Sequence, residues 1–276
     1  MNKNILEPAK CLEIIRKKLS LDSIDESSFT CEFETRKEFS GFLGQYLNLK
    51  VRLMNPNSSE VQKLNFFIKL LPMKGVQYNF VKETGCFKTE LGLYLKIFPK
   101  ILTSKEANFI PECFLGQEDY ALVLEDMSFQ GYMMLDKFQF LQLEDFLIIV
   151  KNLALFHVRS LIFEQKNRIT VKELCHANEV LINNSESIYQ STLDCFSENL
   201  ISMVDLIRDI DLEKKSECKA KIARISSQHY KKTAPSTKYR NVLCHCDLWA
   251  NNILFKHNKT TGKIDKVCFV DFQMAR

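Results

Sequence analysis

The order of segments in this chain predicts an α+β fold of two lobes. An N-terminal antiparallel sheet with one packed helix is expected over residues 1–126, and a mostly helical lobe over residues 127–276. Three observations lead there. Between Ser28 and Leu71 apolar residues alternate or cluster over strand lengths. From about Leu135 the apolar spacing becomes helical. Near the end, two short apolar runs flank a Gly-containing turn and carry polar residues at both ends, the pattern of a hairpin that presents a site.

Residues 1–20 read as an amphipathic helix with Ile5, Cys11, Leu12, Ile14 and Ile15 on or near one face. Phe29–Phe33, Leu47–Leu53 and Leu64–Leu71 form an antiparallel meander, with Asn55-Pro-Asn-Ser-Ser59 as the turn between the last two. Residues 78–98 predict one helix, with Phe80, Phe87, Leu91, Tyr94 and Leu95 at helical spacing and Pro99 as its stop. Cys113–Gly116 and Tyr120–Glu125 add two strands. A long buried helix follows, with Leu143, Phe146, Leu147, Val150, Leu153, Ala154 and His157 on one stripe. Residues 171–232 stay helical and grow polar toward Lys232. The closing hairpin has strands around Asn252–Lys256 and Lys266–Asp271, joined by Asn258-Lys-Thr-Thr-Gly262.

Composition narrows the function classes. The chain is 46% hydrophobic and 26% charged, which is ordinary for a globular protein. A net charge of +4 is too mild to imply a nucleic-acid partner. Phe146–Val150 is the longest dense apolar run, far short of the ~20 residues a bilayer span takes, so no membrane partner is expected. Met1-Asn-Lys-Asn-Ile-Leu-Glu-Pro8 lacks the apolar run of a signal peptide. The ten cysteines are scattered, so reduced thiols in a cytoplasmic protein are expected. Oligomeric state is not legible.

The chemistry concentrates in Leu243-Cys-His-Cys-Asp-Leu-Trp-Ala-Asn-Asn-Ile-Leu-Phe255 and Val267-Cys-Phe-Val-Asp-Phe-Gln273. His245, Asp247 and Asn252 stand in the order H-x-D-x-x-x-x-N, and the next strand delivers Asp271. An isolated Asp–Asn pair reads as a capped loop, because both residues bond nearby backbone in turns. The full set reads differently. Phosphoryl transfer needs a carboxylate to orient the attacking hydroxyl, plus an oxygen ligand and a second carboxylate for Mg²⁺, in this order along a kinase chain. Cys244-His-Cys246 has no accompanying C-x-x-C, and a structural zinc site needs four converging ligands.

Upstream, Lys69 lies inside the apolar run Phe66–Leu71, where a charge is costly unless paired. It is either a lysine on the exposed face of an edge strand or the phosphate-holding lysine of a kinase. Glu90 is its natural partner in the second case, and Glu83 is a further acidic candidate. Gly41-Phe-Leu-Gly44 is either a plain turn or a loop over phosphates. Glu125-Asp126-Met127 ends the last sheet strand and is either a linker or a hinge for a nucleotide base.

Cys244–Phe255 together with Val270-Asp-Phe-Gln273 resembles the ecdysteroid kinase-like family, also called the CHK kinase-like domain, related to choline and aminoglycoside kinases. Phe67-Ile-Lys-Leu-Leu-Pro72, Glu90 followed by Tyr94, Leu124–Met127 and Leu153-Ala-Leu-Phe-His157 support the resemblance. It implies a protein-kinase-like fold, ATP and Mg²⁺ as cofactors, and a small-molecule alcohol as acceptor, an ecdysteroid in the family's best-known members. It makes Asp247, with His245, the catalytic pair, and Asn252 and Asp271 the metal ligands. Lys69, Glu90, Gly44, Glu125 and Met127 would hold the nucleotide. Two departures stand out. Cys246 occupies a position where the family usually has Gly. The chain also stops at Arg276, where family members continue with helices that complete the acceptor pocket. The expectation is an ATP-dependent small-molecule kinase; the alternative is a fragment or short isoform that binds nucleotide with impaired catalysis.

Overall fold

The computed structural model describes residues 5–36, 44–54, 60–102, 109–136, 138, 140–180 and 186–276, the side chains of 186–193 and 229–233 excepted. The chain forms two compact units, residues 1–182 with 242–276, and residues 183–241. The first unit carries the candidate site, and the lobe boundary expected at 126/127 falls inside it. In the second unit, α7 (Glu186–Leu206) packs on α8 (Leu212–Thr233), with Lys219 Nζ 2.6 Å from Asp205.

The expected α+β architecture is present. In the sheet lobe, α1 (Pro8–Leu19) opens on a proline, whose fixed φ and missing N–H suit a first turn. It buries Cys11, Leu12, Ile14 and Ile15. Strands β1 (Phe29–Thr35), β2 (Gln45–Met54) and β3 (Val61–Leu70) form the meander. With β4 (Cys113–Gln117) and β5 (Ala121–Glu125) they make a sheet of order β1-β2-β3-β5-β4. Along β3 the two-residue period sends Leu64, Phe66, Ile68 and Leu70 into the core shared with α1. Phe67 and Lys69 therefore face the other way. The turn expected at 55–59 lies outside the described residues.

The single helix expected over 78–98 is broken. α2 (Val76–Thr84) ends at Gly85, whose φ of 66° only glycine adopts without strain. α3 (Cys86–Gly92) follows, then a π turn over Leu93–Ile97 and the short α4 (Phe98–Ile101). Pro99 does not stop this run; it sits in the first turn of α4. Having no N–H for the Leu95 carbonyl, it forces the ladder before it to slip, and the π turn absorbs the slip. Phe80 and Leu95, placed on the core stripe by periodicity, are exposed.

Gly116 lies close under the side-chain ends of two leucines, which would have to shift to admit a larger residue. A Cβ there would meet Leu91 Cδ1 at 2.6 Å and Leu95 Cδ1 at 2.7 Å. Gly116→Val is expected to cost ~2 kcal/mol, within the usual range for an overpacked core, and a lowered urea midpoint with unchanged slope checks it.

In the helical lobe, α5 (Leu143–Asn167) buries Ile149, Phe156, Ser160 and Phe163. That corrects the expected stripe. Leu143, Phe146, Leu147 and Val150 are 67%, 52%, 56% and 43% exposed. The helix is apolar on both sides, so periodicity alone could not say which side turns inward. At 25 residues it is also long and apolar enough to cross a membrane by length and composition, which the short run Phe146–Val150 did not indicate. Its inner stripe packs on α4 and on β8. α6 (Val171–Ala177) starts with a full capping box, in which Thr170 and Glu173 bond each other's backbone N–H. The closing hairpin is β7 (Ile253–His257) and β8 (Ile264–Phe269), as expected, and β6 (Tyr132–Met133) adds a third strand in the order β6-β7-β8. Phe98, Phe109, Phe156, Phe269 and Phe272 form an aromatic cluster of edge-to-face and tilted pairs beneath the hairpin.

Candidate active site

The site assembles around Lys69. Strand alternation aims it away from the α1 core, and its Nζ lies 2.6 Å from Glu90 Oε2 on α3 and 2.7 Å from Asp271 Oδ1 just after β8. Lys69 and Glu90 are buried. Burial alone would pull Lys69 down, but the charges of Glu90 and Asp271 outweigh it and hold the ammonium above its ordinary value. Burial pushes the Glu90 carboxyl up, and Lys69 and the Phe272 N–H, which donates to Glu90 Oε1 at 3.1 Å, oppose that push. A lysine, a helix glutamate and the aspartate of the Asp-Phe-Gln triplet thus meet from positions far apart in the chain. Lys69 is therefore not a lysine on the exposed face of an edge strand: β3 lies inside the sheet, and the ammonium is buried and paired with Glu90 rather than Glu83.

The second half of the site is the turn before β7. Asn252 Nδ2 donates to the Asp247 carboxylate and to the Asp247 carbonyl oxygen, each at 2.9 Å. Its side-chain oxygen accepts no hydrogen bond among the described residues, and neither does Asp271 Oδ2. Val270 N–H donates to the Asn252 carbonyl at 3.1 Å, which ties the turn to the end of β8. Two unclaimed oxygens on adjoining backbone fit a hard, oxygen-seeking divalent cation. The Asp247 carboxyl stands above its usual range, first because of burial and then because of the Asp271 charge, with the Asn252 bond pulling the other way.

His245 is buried beneath this turn. Its Nδ1 accepts from Asp247 N–H at 3.3 Å, and its Nε2 donates to the Val270 carbonyl at 2.9 Å. That pattern requires the neutral ring, and burial lowers its pKa in agreement. Both nitrogens are spent on backbone, so His245 positions the loop. The ring lies tilted against Phe272 at a centroid distance of 4.4 Å.

Two residues here hold left-handed backbone without being glycine: Cys246 at φ 64° and Asp271 at φ 67°. The glycine that the resemblance places at position 246 thus has a geometric reason. Cys246→Gly is expected to stabilise the fold by ~1 kcal/mol through release of that strain, read as a rise in the urea midpoint.

The remaining nucleotide-site residues fall near Lys69. Gly44 approaches it closely: a Cβ there would come within 3.2 Å of the Leu70 carbonyl oxygen and 3.6 Å of Lys69 Cγ. Gly41 to Leu43 lie outside the described residues. Glu125 turns its side chain to Lys18, 2.9 Å away, and its N–H is taken by the Glu112 carbonyl at 2.8 Å. Met127 buries its side chain against Tyr132 and Cys268, and its carbonyl accepts from Tyr132 N–H at 2.9 Å. Its own N–H donates to no acceptor among the described residues.

Sequence reasoning missed Arg36. Its guanidinium donates to Asn48, to Asp126 at 2.8 Å and to Ser128 Oγ at 2.7 Å, and lies 5.2 Å from the centre of the Phe67 ring. Phe67 and Asn48 pair across β3 and β2, two residues from the Lys69–Tyr46 pair. Arg36 therefore links the end of β1 to the segment after β5 along the Lys69 face of the sheet. Only the alternation of β2 and β3, read together with an arginine at the end of β1, could have hinted at it.

A sheet lobe and a helical lobe, with a lysine–glutamate pair on one side and an Asp–Asn–Asp set on the other, define a kinase-like phosphotransferase of the small-molecule type. A family model described as the ecdysteroid kinase-like family matches residues 38–276. The chain belongs to that family. A search of curated proteins finds no match.

Proposed function

We propose that this protein transfers the γ-phosphoryl group of ATP to a hydroxyl of a small alcohol, with an ecdysteroid or related steroid alcohol as the acceptor to test first. The observation that carries the reading is the double pairing of Lys69 with Glu90 and Asp271, beside an Asp247 held by Asn252. Lys69 would exchange Asp271 for nucleotide phosphate oxygens while Glu90 keeps it in place. The unclaimed oxygens of Asn252 and Asp271 would hold Mg²⁺, which when bound supplies charge neutralisation at the phosphates. The Met127 N–H is free to donate to an adenine edge, and Gly44 lets the backbone approach the phosphates.

Asp247 accepts the proton of the attacking hydroxyl. Its raised pKa makes it a better base than an ordinary carboxylate. His245 fixes its backbone, and Asn252 its carboxylate. The ten thiols are all free, which goes with a reducing compartment such as the cytoplasm.

Two measurements test this reading. ATP with Mg²⁺ should raise the melting temperature, and label from γ-labelled ATP should pass to one member of a panel of steroid and other alcohols. Stabilisation without transfer to any alcohol would mark a nucleotide-binding module. Absence of both would overturn the reading.

A further inference from the structure

One side chain ties the two ends of the Lys69 face together. Arg36 follows β1, and its N–H donates to the Tyr46 carbonyl at 3.0 Å, so its backbone is held on β2. Its guanidinium reaches across the sheet. Nε donates to Asn48, and Nη2 donates to Asp126 Oδ1 at 2.8 Å and to Ser128 Oγ at 2.7 Å. The ion pair is shielded from water: the Arg36 side chain is 13% exposed and that of Asp126 5%. A shielded pair depends on its geometry, and a rigid fork of donors fixes its partners better than a point charge does.

Asp126 is more than an anchor for Arg36. The same Oδ1 accepts the Ser128 N–H at 3.0 Å, and the Asp126 carbonyl accepts the Phe129 N–H at 3.1 Å. These bonds shape the turn that contains Met127. Met127 and Tyr132 pack with Cys268 of β8, so the turn is also anchored in the hairpin. In the other direction the guanidinium lies 5.2 Å from the centre of the Phe67 ring. Phe67 stacks on Tyr46 at a centroid distance of 5.5 Å, and Tyr46 pairs across the strands with Lys69. From Arg36, contacts thus lead to the Met127 turn on one side and to Lys69 on the other.

We propose that Arg36 is a positioning residue for the nucleotide, holding the Met127 N–H at a fixed offset from Lys69 so that base and phosphates are gripped together. The inference rests on the nucleotide reading given above, in which the Met127 N–H meets the base edge and Lys69 the phosphates. Arg36 acts through both. What it supplies is preorganisation: a turn already fixed loses less freedom when the nucleotide enters. Without Arg36 the Asp126 carboxylate keeps the Ser128 donors, and the turn loses its tie to β1 and β2.

The test compares ATP with inorganic tripolyphosphate, each titrated with Mg²⁺ into the full chain by calorimetry. Tripolyphosphate has phosphates but no base, so it reports the Lys69 end alone. The unaltered protein should bind ATP more tightly. Arg36→Ala should weaken ATP by ~10-fold, about the loss of one well-made hydrogen bond, and leave tripolyphosphate nearly unchanged. That variant also strips a buried carboxylate of its cation, so its stability falls. Arg36→Ala combined with Asp126→Asn removes the orphaned charge. The double variant should regain stability in urea while its ATP binding stays weak. Unchanged ATP affinity in Arg36→Ala, equal weakening of both ligands, or recovery of ATP affinity in the double variant overturns the inference, because Arg36 would then hold only the fold. Equal affinity of the unaltered protein for the two ligands overturns it too, since the base would not be gripped. These outcomes leave the kinase reading standing. Failure of the unaltered protein to bind either ligand would instead overturn the nucleotide reading, and this inference with it.

Discussion

Asp247→Asn is expected to lower kcat by ~10³-fold while leaving ATP-dependent stabilisation close to that of the unaltered protein. The substitution keeps the shape of the side chain. An oxygen still faces Asn252 Nδ2, so the 2.9 Å bond that holds the turn has a donor and an acceptor. What is lost is the negative charge that accepts the hydroxyl proton. Lys69, Glu90 and Met127, which would contact the nucleotide, lie outside the change. Single-turnover transfer measured beside a thermal shift with Mg²⁺ and ATP separates the two effects. Unchanged turnover would remove Asp247 from the reaction. The same residue sets a pH dependence. Asp247 acts when ionised, so the rate falls as pH drops through its pKa. Burial and the Asp271 charge place that pKa above the ordinary Asp value of about 3.9, and the acid limb of kcat/KM should lie correspondingly high.

Lys69→Met should destabilise the fold by ~3–5 kcal/mol and abolish the ATP-dependent shift. It leaves the Glu90 carboxylate buried with only the Phe272 N–H for company, and Asp271 without its cation. Adding Glu90→Gln removes the orphaned charge. The double variant should regain much of the stability in urea, and still fail to bind ATP or turn over. That pattern separates a residue holding phosphate from one that only holds the fold. Recovery of nucleotide binding in the double variant would show that Lys69 is a structural cation. The sign of its titration also follows. Because its folded pKa is raised, the stability it contributes is whole at neutral pH and declines only above its unfolded value of about 10.4.

The limits of sequence reading show in particular residues. β3 was legible because alternation has one geometric meaning, and a charge inside it demanded a partner. Asp247, Asn252 and Asp271 were legible as a set because β7 and β8 pair as a hairpin, which brings the turn before β7 beside the end of β8. α5 was only half legible. Leu143, Phe146, Leu147 and Val150 make as good a stripe as Ile149, Phe156 and Phe163, and the choice depends on which side meets β8 and α4. The break at Gly85 and the π turn before Pro99 were hidden within a plausible continuous helix. The clamp of Arg36 across Asn48, Asp126 and Ser128 joins positions distant in the chain and conforms to no local pattern.

By itself the sequence determined the α+β order of elements, the family, and which carboxylates and which lysine are the candidates for its chemistry. Periodicity and motif spacing are local properties, and the backbone converts them into position within one element. Only the tertiary structure decided that Lys69 meets Glu90 and Asp271 together, that His245 spends both nitrogens on backbone, and that Cys246 holds a left-handed turn. Each of those depends on where separate elements come to rest against one another, and that is set by the summed packing of both lobes rather than by any single stretch of residues.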